Sequence, residues 1–470
     1  MTHRGTAFKS LGGVLVLALI TSIYTFGQTR SAPIDPGVRG GPAGAGAPLN
    51  GLTADETAFF KDGQARFADV EVVTNGSNNG LGPRFNSNQC FSCHSQPSAG
   101  GTSPAQNPLI AVATLDGAKN TVPWFITQNG PVREARFKKS NGNADGEVHD
   151  VFVITGRTDA TGCNISQFDF LPAGNALTGQ GGNANIIFRI PTPLFGAGLI
   201  EAIPDSAILA NMQSNASQKS ALGISGHANA HLSGNVNLSA NDGTITRFGW
   251  KAQNKSLLMF AGEAYNVEMG ITNQLFPQER DETSGCVFNA TPEDTVNFTP
   301  APAAPGNSNT AVLSDIEAFA DFMRMLAPPT PATPSSTNGR ATFAKIGCVH
   351  CHNPSFTTGA KIASGSSTSP SVALSNQTAN LYSDLIVHHM GKGLADGITQ
   401  GAAGPDEFRT APLWGVGQRV FFLHDGRTTN LLEAIRDHQS LGSEANKVIE
   451  HFDKLTTQEQ QEVLDFLRSL

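Results

Sequence analysis

The sequence predicts a mainly α fold with irregular loops and a few short strands, arranged as two fused lobes. Three observations carry this prediction. Gly (50) and Pro (27) take a large share of 470 residues, so turns and irregular connections must be frequent. Two C-x-x-C-H segments, Cys90-Cys93-His94 and Cys348-Cys351-His352, lie 255 residues apart from Cys93 to Cys348, each after a stretch of helical spacing. Each lobe then closes with an amphipathic helix that starts at a capping box.

The elements follow in chain order. Arg4 and Lys9 precede the apolar run LGGVLVLALITSIYTF, 11–26, which has the build of a secretory signal. Residues 1–30 therefore read as a signal peptide or, left uncleaved, as an anchor in the inner membrane, and the protein as periplasmic or otherwise exported. The Gly- and Pro-rich residues 31–50 read as a flexible tether. The N-terminal lobe, 51–326, opens with a helix capped by Thr53 and Glu56, with Ala58, Phe59 and Phe67 at helical spacing. A large insertion swells it between 100 and 310, where VFVITGR and NIIFRI read as short strands and GNANIIF, ANDGT and PAPAAPGNSN as turns or loops. Its closing helix starts at Ser314 and Glu317, and the Pro-rich linker APPTPATPSST, 327–337, follows. The C-terminal lobe, 338–470, has a short helix running directly into the second motif and a closing helix that starts at Thr456 and Glu459.

Composition narrows the partners. The formal charge is -8, with acidic residues scattered and no basic run, which argues against nucleic acid. The two motifs are the strongest chemical signal. Six Cys and twelve His placed at random in this chain give about 0.002 copies of C-x-x-C-H, and there are two. The spacing suits covalent haem: two thiols add to the two vinyl groups, and the adjacent His sits under the iron as its proximal ligand. A zinc ribbon needs its two C-x-x-C pairs only about 15–20 residues apart and no His after each. Two covalently attached c-type haems are therefore expected, one per cytochrome c-like lobe. Cys163 and Cys286 remain, as a disulfide or as two buried thiols.

RFGWKAQNKSLLMFAGEAYNVEMGITNQLFP, NGRATFAKIGCVHCH and FRTAPLWGVGQRVFFLHDGRTTNLLEAI resemble the diheme cytochrome c peroxidase superfamily, in its branch called di-haem oxidoreductase, putative peroxidase. The resemblance spans nearly all of the chain after residue 50. It implies a peroxide-reactive haem in the N-terminal lobe and an electron-transfer haem in the C-terminal one. It also implies an acid-base Glu in a Glu-Met-Gly context, which Glu268, Met269 and Gly270 match; Glu201, beside a Gly-rich turn, is the rival. A Gln expected ten residues before that Glu is replaced by Leu258. A Trp relay between the haems falls within two residues of Trp250. A calcium ion is left open.

The iron ligands set the expected division of labour. After His94 no His occurs before His149 and no Met before Met212, so the first iron is expected to be open to peroxide. At the second, His388, His389, Met390, His424 and His438 are candidates. The resemblance favours the residue four after Ala434, which is His438, with Met390 as the alternative. The expected activity is reduction of hydrogen peroxide with electrons from a small cytochrome c or another periplasmic donor. A diheme enzyme that oxidises a protein or other partner, and a non-catalytic electron carrier, are the alternatives.

Overall fold

Thr53 starts the first long helix of the body, Ala54–Phe67, in the manner its sequence requires: its side chain accepts from the Glu56 backbone, and the Glu56 carboxylate accepts from the Thr53 backbone. The computed structural model describes residues 1, 32–170, 185–230, 245–296, 312–333, 335–364 and 369–470. The apolar 11–26 run lies outside the described residues. Among those described, no helix is long and apolar enough to cross a membrane.

The fold is mixed. The described residues contain 13 α-helices, many of only one or two turns, and 11 strands of two to four residues. The two capping boxes expected at Ser314 and Thr456 are both formed, opening the helices Asp315–Met325 and Thr457–Ser469. The expected strands are Phe152–Val153, which pairs with Arg84–Phe85, and Ile186–Arg189. Ile186–Arg189 lies against Glu134–Phe137, whose other edge pairs with Val148–His149, giving a three-stranded antiparallel sheet. In its register Glu134 stands opposite Arg189.

One packing arrangement occurs twice. Ala54–Phe67 crosses Asp315–Met325 at Gly63, where a Cβ would run into the Ala318 carbonyl, and Phe67 meets Phe322 at 5.0 Å in a tilted arrangement. The helix Thr337–Ile346 crosses Thr457–Ser469 at Gly339, where a Cβ would run into the Glu462 carbonyl, and Phe343 meets Phe466 at 5.5 Å. Glycine lets each pair approach closely enough for the aromatic residue to fill the space beside the crossing. Two separate hydrophobic cores result, a large one around Phe67, Phe319 and Phe322 and a smaller one around Phe343, Phe452 and Phe466. Residues 33–470 nonetheless form one body.

The segment expected as a flexible tether is instead an ordered strap. Asp35 pairs with Arg468 at 2.6 Å and accepts from the Leu431 backbone; Ile34 and Gln461 exchange hydrogen bonds. Farther along, Arg39 donates to Gly417, Leu49 to Met325, and the Pro-rich stretch donates back from Ala327 to Ala47 and from Thr330 to Gly44. A Gly- and Pro-rich composition predicts flexibility only where backbone groups lack partners, and here they have them. Cys163 and Cys286 form a disulfide.

Candidate active site

Cys90–Cys93 is a single helical turn held at its start by Ser92, whose hydroxyl donates to the Gln89 carbonyl at 2.8 Å. The turn ends where the His94 backbone bonds back to Cys90. His94 Nδ1 donates to the Gly101 carbonyl at 3.0 Å, which fixes the tautomer and leaves Nε2 with its lone pair. The second motif repeats this geometry: His352 bonds back to Cys348, and its Nδ1 donates to the Tyr382 carbonyl at 3.0 Å. Even the ring packed beside each imidazole matches, Phe67 and Phe343 each at 6.0 Å. Burial pushes both imidazoles down to about 4, so both are neutral bases at physiological pH. All four motif thiols are free.

Each motif borders its own cavity, the first at Cys90, Cys93 and His94 and the second at Cys348, Cys351 and His352. Glu268 shares the first. It sits in the last turn of the helix Leu257–Met269, which Gly270 ends in the left-handed conformation at φ 68°. Asn86 fixes it: the amide oxygen accepts from the Val151 backbone, so the amide nitrogen faces Glu268 Oε2 at 2.9 Å. Burial, followed by the charge of Glu134, pushes Glu268 up to about 8. Glu201 is elsewhere, buried in the core with Oε2 on Arg324 at 2.7 Å and Oε1 on the Leu257 backbone.

Several groups on this wall escaped the sequence reading. Glu134, Arg136 and Arg189 border the first cavity, as do Gln253 and Met323. The one available signal was the alternation in Glu134–Phe137, where Ala135 and Phe137 are buried on the face opposite Glu134 and Arg136.

Trp250 borders both cavities. Its Nε1 donates to Ile190 at 2.9 Å, and its carbonyl accepts from Arg409. In the second cavity the ligand candidates separate. His388 has both ring nitrogens engaged, Nδ1 with Glu444 at 2.7 Å and Nε2 with Asp384 at 2.9 Å. His389 lies toward solvent with its ring on Asp406 and Glu407. His424 stacks on Phe408 at 4.2 Å. His438 borders the cavity with Nδ1 donating to Ala434 at 2.7 Å, the arrangement found at His94 and His352; Met390 borders it too. Half-buried Arg409 and buried Arg419 add two cations whose side-chain hydrogen bonds run to the Gly249 and Pro412 carbonyls. Among the described residues the cluster with metal-ligand spacing is Cys351, Asp384 and His388.

The sequence model described as "Di-haem oxidoreductase, putative peroxidase" matches residues 178–470, which include Trp250, Glu268, the second motif and His438. The chain belongs to this family. Among solved structures, this di-haem oxidoreductase is similar to hydrazine synthase from Kuenenia stuttgartiensis, at 19% identity over 33% of this chain and 55% of that one, TM-score 0.22. It is similar to a MauG-like protein associated with microbial copper homeostasis, at 18% identity over 35% and 55%, TM-score 0.22. It is also similar to the diheme peroxidase BthA from Burkholderia thailandensis, at 14% identity over 48% and 65%, TM-score 0.26. The first two matches span little more than half of those chains. No curated relative matches.

The family implies two haems, and the residues present fit them. Each cavity offers a neutral imidazole whose Nδ1 is held by a backbone carbonyl, and two thiols at its edge. Arg409 and Arg419 supply positive charge suited to carboxylate substituents of a macrocycle in the second cavity.

Proposed function

We propose that this di-haem oxidoreductase is an exported c-type enzyme of two fused cytochrome c-like lobes that reduces hydrogen peroxide in the first cavity, with electrons entering through the second. Thioethers at Cys90 and Cys93, and at Cys348 and Cys351, would hold the groups; His94 and His352 would ligate the irons, and His438 would complete the second site. The disulfide supports an oxidising compartment, and the 1–30 leader supports export, with an inner-membrane anchor where it stays uncleaved. A bound haem supplies an iron that takes a peroxide oxygen and exchanges electrons one at a time.

The observation that carries this reading is the difference between the cavities. The first contains a half-buried carboxyl, Glu268, fixed by Asn86, and among the described residues His94 is its only imidazole. The second contains His438 with its Nε2 left over, a ready second ligand that would close the iron to substrate. Glu268 moves the proton that O–O cleavage requires, from the near oxygen to the departing one. Trp250, as the common wall, shortens the path for electrons between the sites. A small cytochrome c or similar one-electron protein is the donor. The balance is one peroxide, two electrons and two protons to two waters.

The test is single-turnover mixing of the reduced protein with peroxide, following both haems optically. Wild type should lose two electrons per peroxide, and Glu268→Gln should keep both haem spectra while slowing turnover by on the order of 10²-fold or more. Oxidation that proceeds only with a macromolecular substrate would favour the partner-oxidising reading, and no reaction at all would leave a carrier.

A further inference from the structure

The first cavity contains a second carboxyl that the proposed chemistry does not use. Glu134 begins the centre strand of the three-stranded sheet, opposite Arg189, and Arg136 follows on the same face. Its Oε1 accepts from Arg136 Nε at 2.8 Å. Its carboxyl borders the same cavity as that of Glu268 and lies within hydrogen-bonding reach of it. Two carboxyls can share a hydrogen bond only when one carries a proton. The surroundings decide which one does. Glu134 is bonded to a guanidinium and lies across the strand pair from another; Glu268 is bonded to a neutral amide.

We propose that Glu134 and Glu268 form a carboxylate–carboxylic acid pair with one proton between them, Glu134 as base and Glu268 as acid for cleavage of the peroxide bond. This rests on the peroxide reading above. The near oxygen gives its proton to the pair, and the resident proton passes from Glu268 to the far oxygen. The O–O bond breaks, its electron pair leaves with the far oxygen, and that oxygen departs as water. The pair ends with one proton, as it began. Two electrons from the one-electron protein donor and two protons from solvent complete the reduction of the near oxygen to a second water.

The electrostatics agree with these roles. Burial, with the charge of Glu134 next, holds Glu268 up at about 8; burial acts on Glu134 too, but Arg136 and Arg189 overcome it and hold that carboxyl below its ordinary value. The other charged or titratable groups around Glu268 are Asp150, paired with Arg280, Glu263 on its own helix, and the Cys90 and Cys93 thiols. A carboxylic acid is therefore available at neutral pH, and its loss on raising the pH through about 8 should appear as the alkaline limb of turnover.

The experiment is an infrared titration of the haem-loaded protein, following the carbonyl stretch of the protonated carboxyl from neutral to alkaline pH, beside the pH profile of peroxide turnover. Wild type should show a component of this titration, beside those of other raised carboxyls such as Glu71 and Glu279, that is absent in Glu268→Gln. Glu134→Gln should lower its midpoint by about one pH unit or more, because the repelling charge is gone; Arg136→Gln should raise it. Glu134→Asp should stay near wild type, and it and Arg136→Gln decide the matter if Glu134→Gln does not fold. A midpoint that moves in neither charge variant, with an unshifted alkaline limb, overturns the pair and leaves Glu134 as a counterion for Arg136. Midpoints that move as stated in a wild-type protein without peroxide turnover overturn the reaction and keep the pair.

Discussion

His94, His352 and His438 each donate Nδ1 to a backbone carbonyl, and that shared habit gives the residue-scale reading its force. A carbonyl on Nδ1 presents the opposite nitrogen as a lone pair and holds the ring in place. Two haems per chain are expected by pyridine haemochrome assay, with Cys348→Ala weakening or losing one. One haem in the wild type, or zinc instead, would remove the basis of the whole scheme. Imidazole favours ferric iron more than a thioether does, so His438→Met should keep the second site low-spin. It should also raise the potential by a good part of the roughly 0.8 V that axial ligands span. A near-infrared band of Met-ligated ferric haem already present in the wild type, and unaffected by the change, would transfer the role to Met390.

At the scale of elements, the glycine crossings hold each helix pair against its cavity. Gly339→Val forces a side chain against the Glu462 carbonyl and should cost about 1–3 kcal/mol of stability, measured by denaturant unfolding of the loaded protein. Unaltered stability would mean that the crossing can open without penalty. Elements whose signal is local were legible in the sequence. A capping box is complete within four residues, and all three appear where Thr53, Ser314 and Thr456 announce them. The strap from 33 to 50 was not, since its partners are Gln461, Arg468 and Leu431, and nothing in a Gly-Pro composition names a partner so distant. Glu134 and Arg136 were hidden for another reason. Charged residues alternating with apolar ones normally face water, and only the sheet's position turns that polar face toward an internal cavity.

For the whole molecule, the fact of most weight is that the two motif cavities meet at one indole. Trp250→Phe keeps an aromatic ring there but loses the hydrogen bond to Ile190, and it should slow electron passage between the sites by roughly tenfold or more with both haem spectra unchanged. Equal rates in stopped-flow mixing would reduce Trp250 to packing. The strap carries a different consequence, one of timing. Asp35 is among the first residues of the body to leave the ribosome, yet its partner Arg468 is made 433 positions later. Contacts of such separation form late, because the intervening chain must first be brought to order. The clasp at Asp35 is therefore set to shut last, after the chain between its two halves has folded. Deleting residues 461–470 should accordingly expose the 33–50 segment to limited proteolysis, so damage at one end of the chain would be read out at the other.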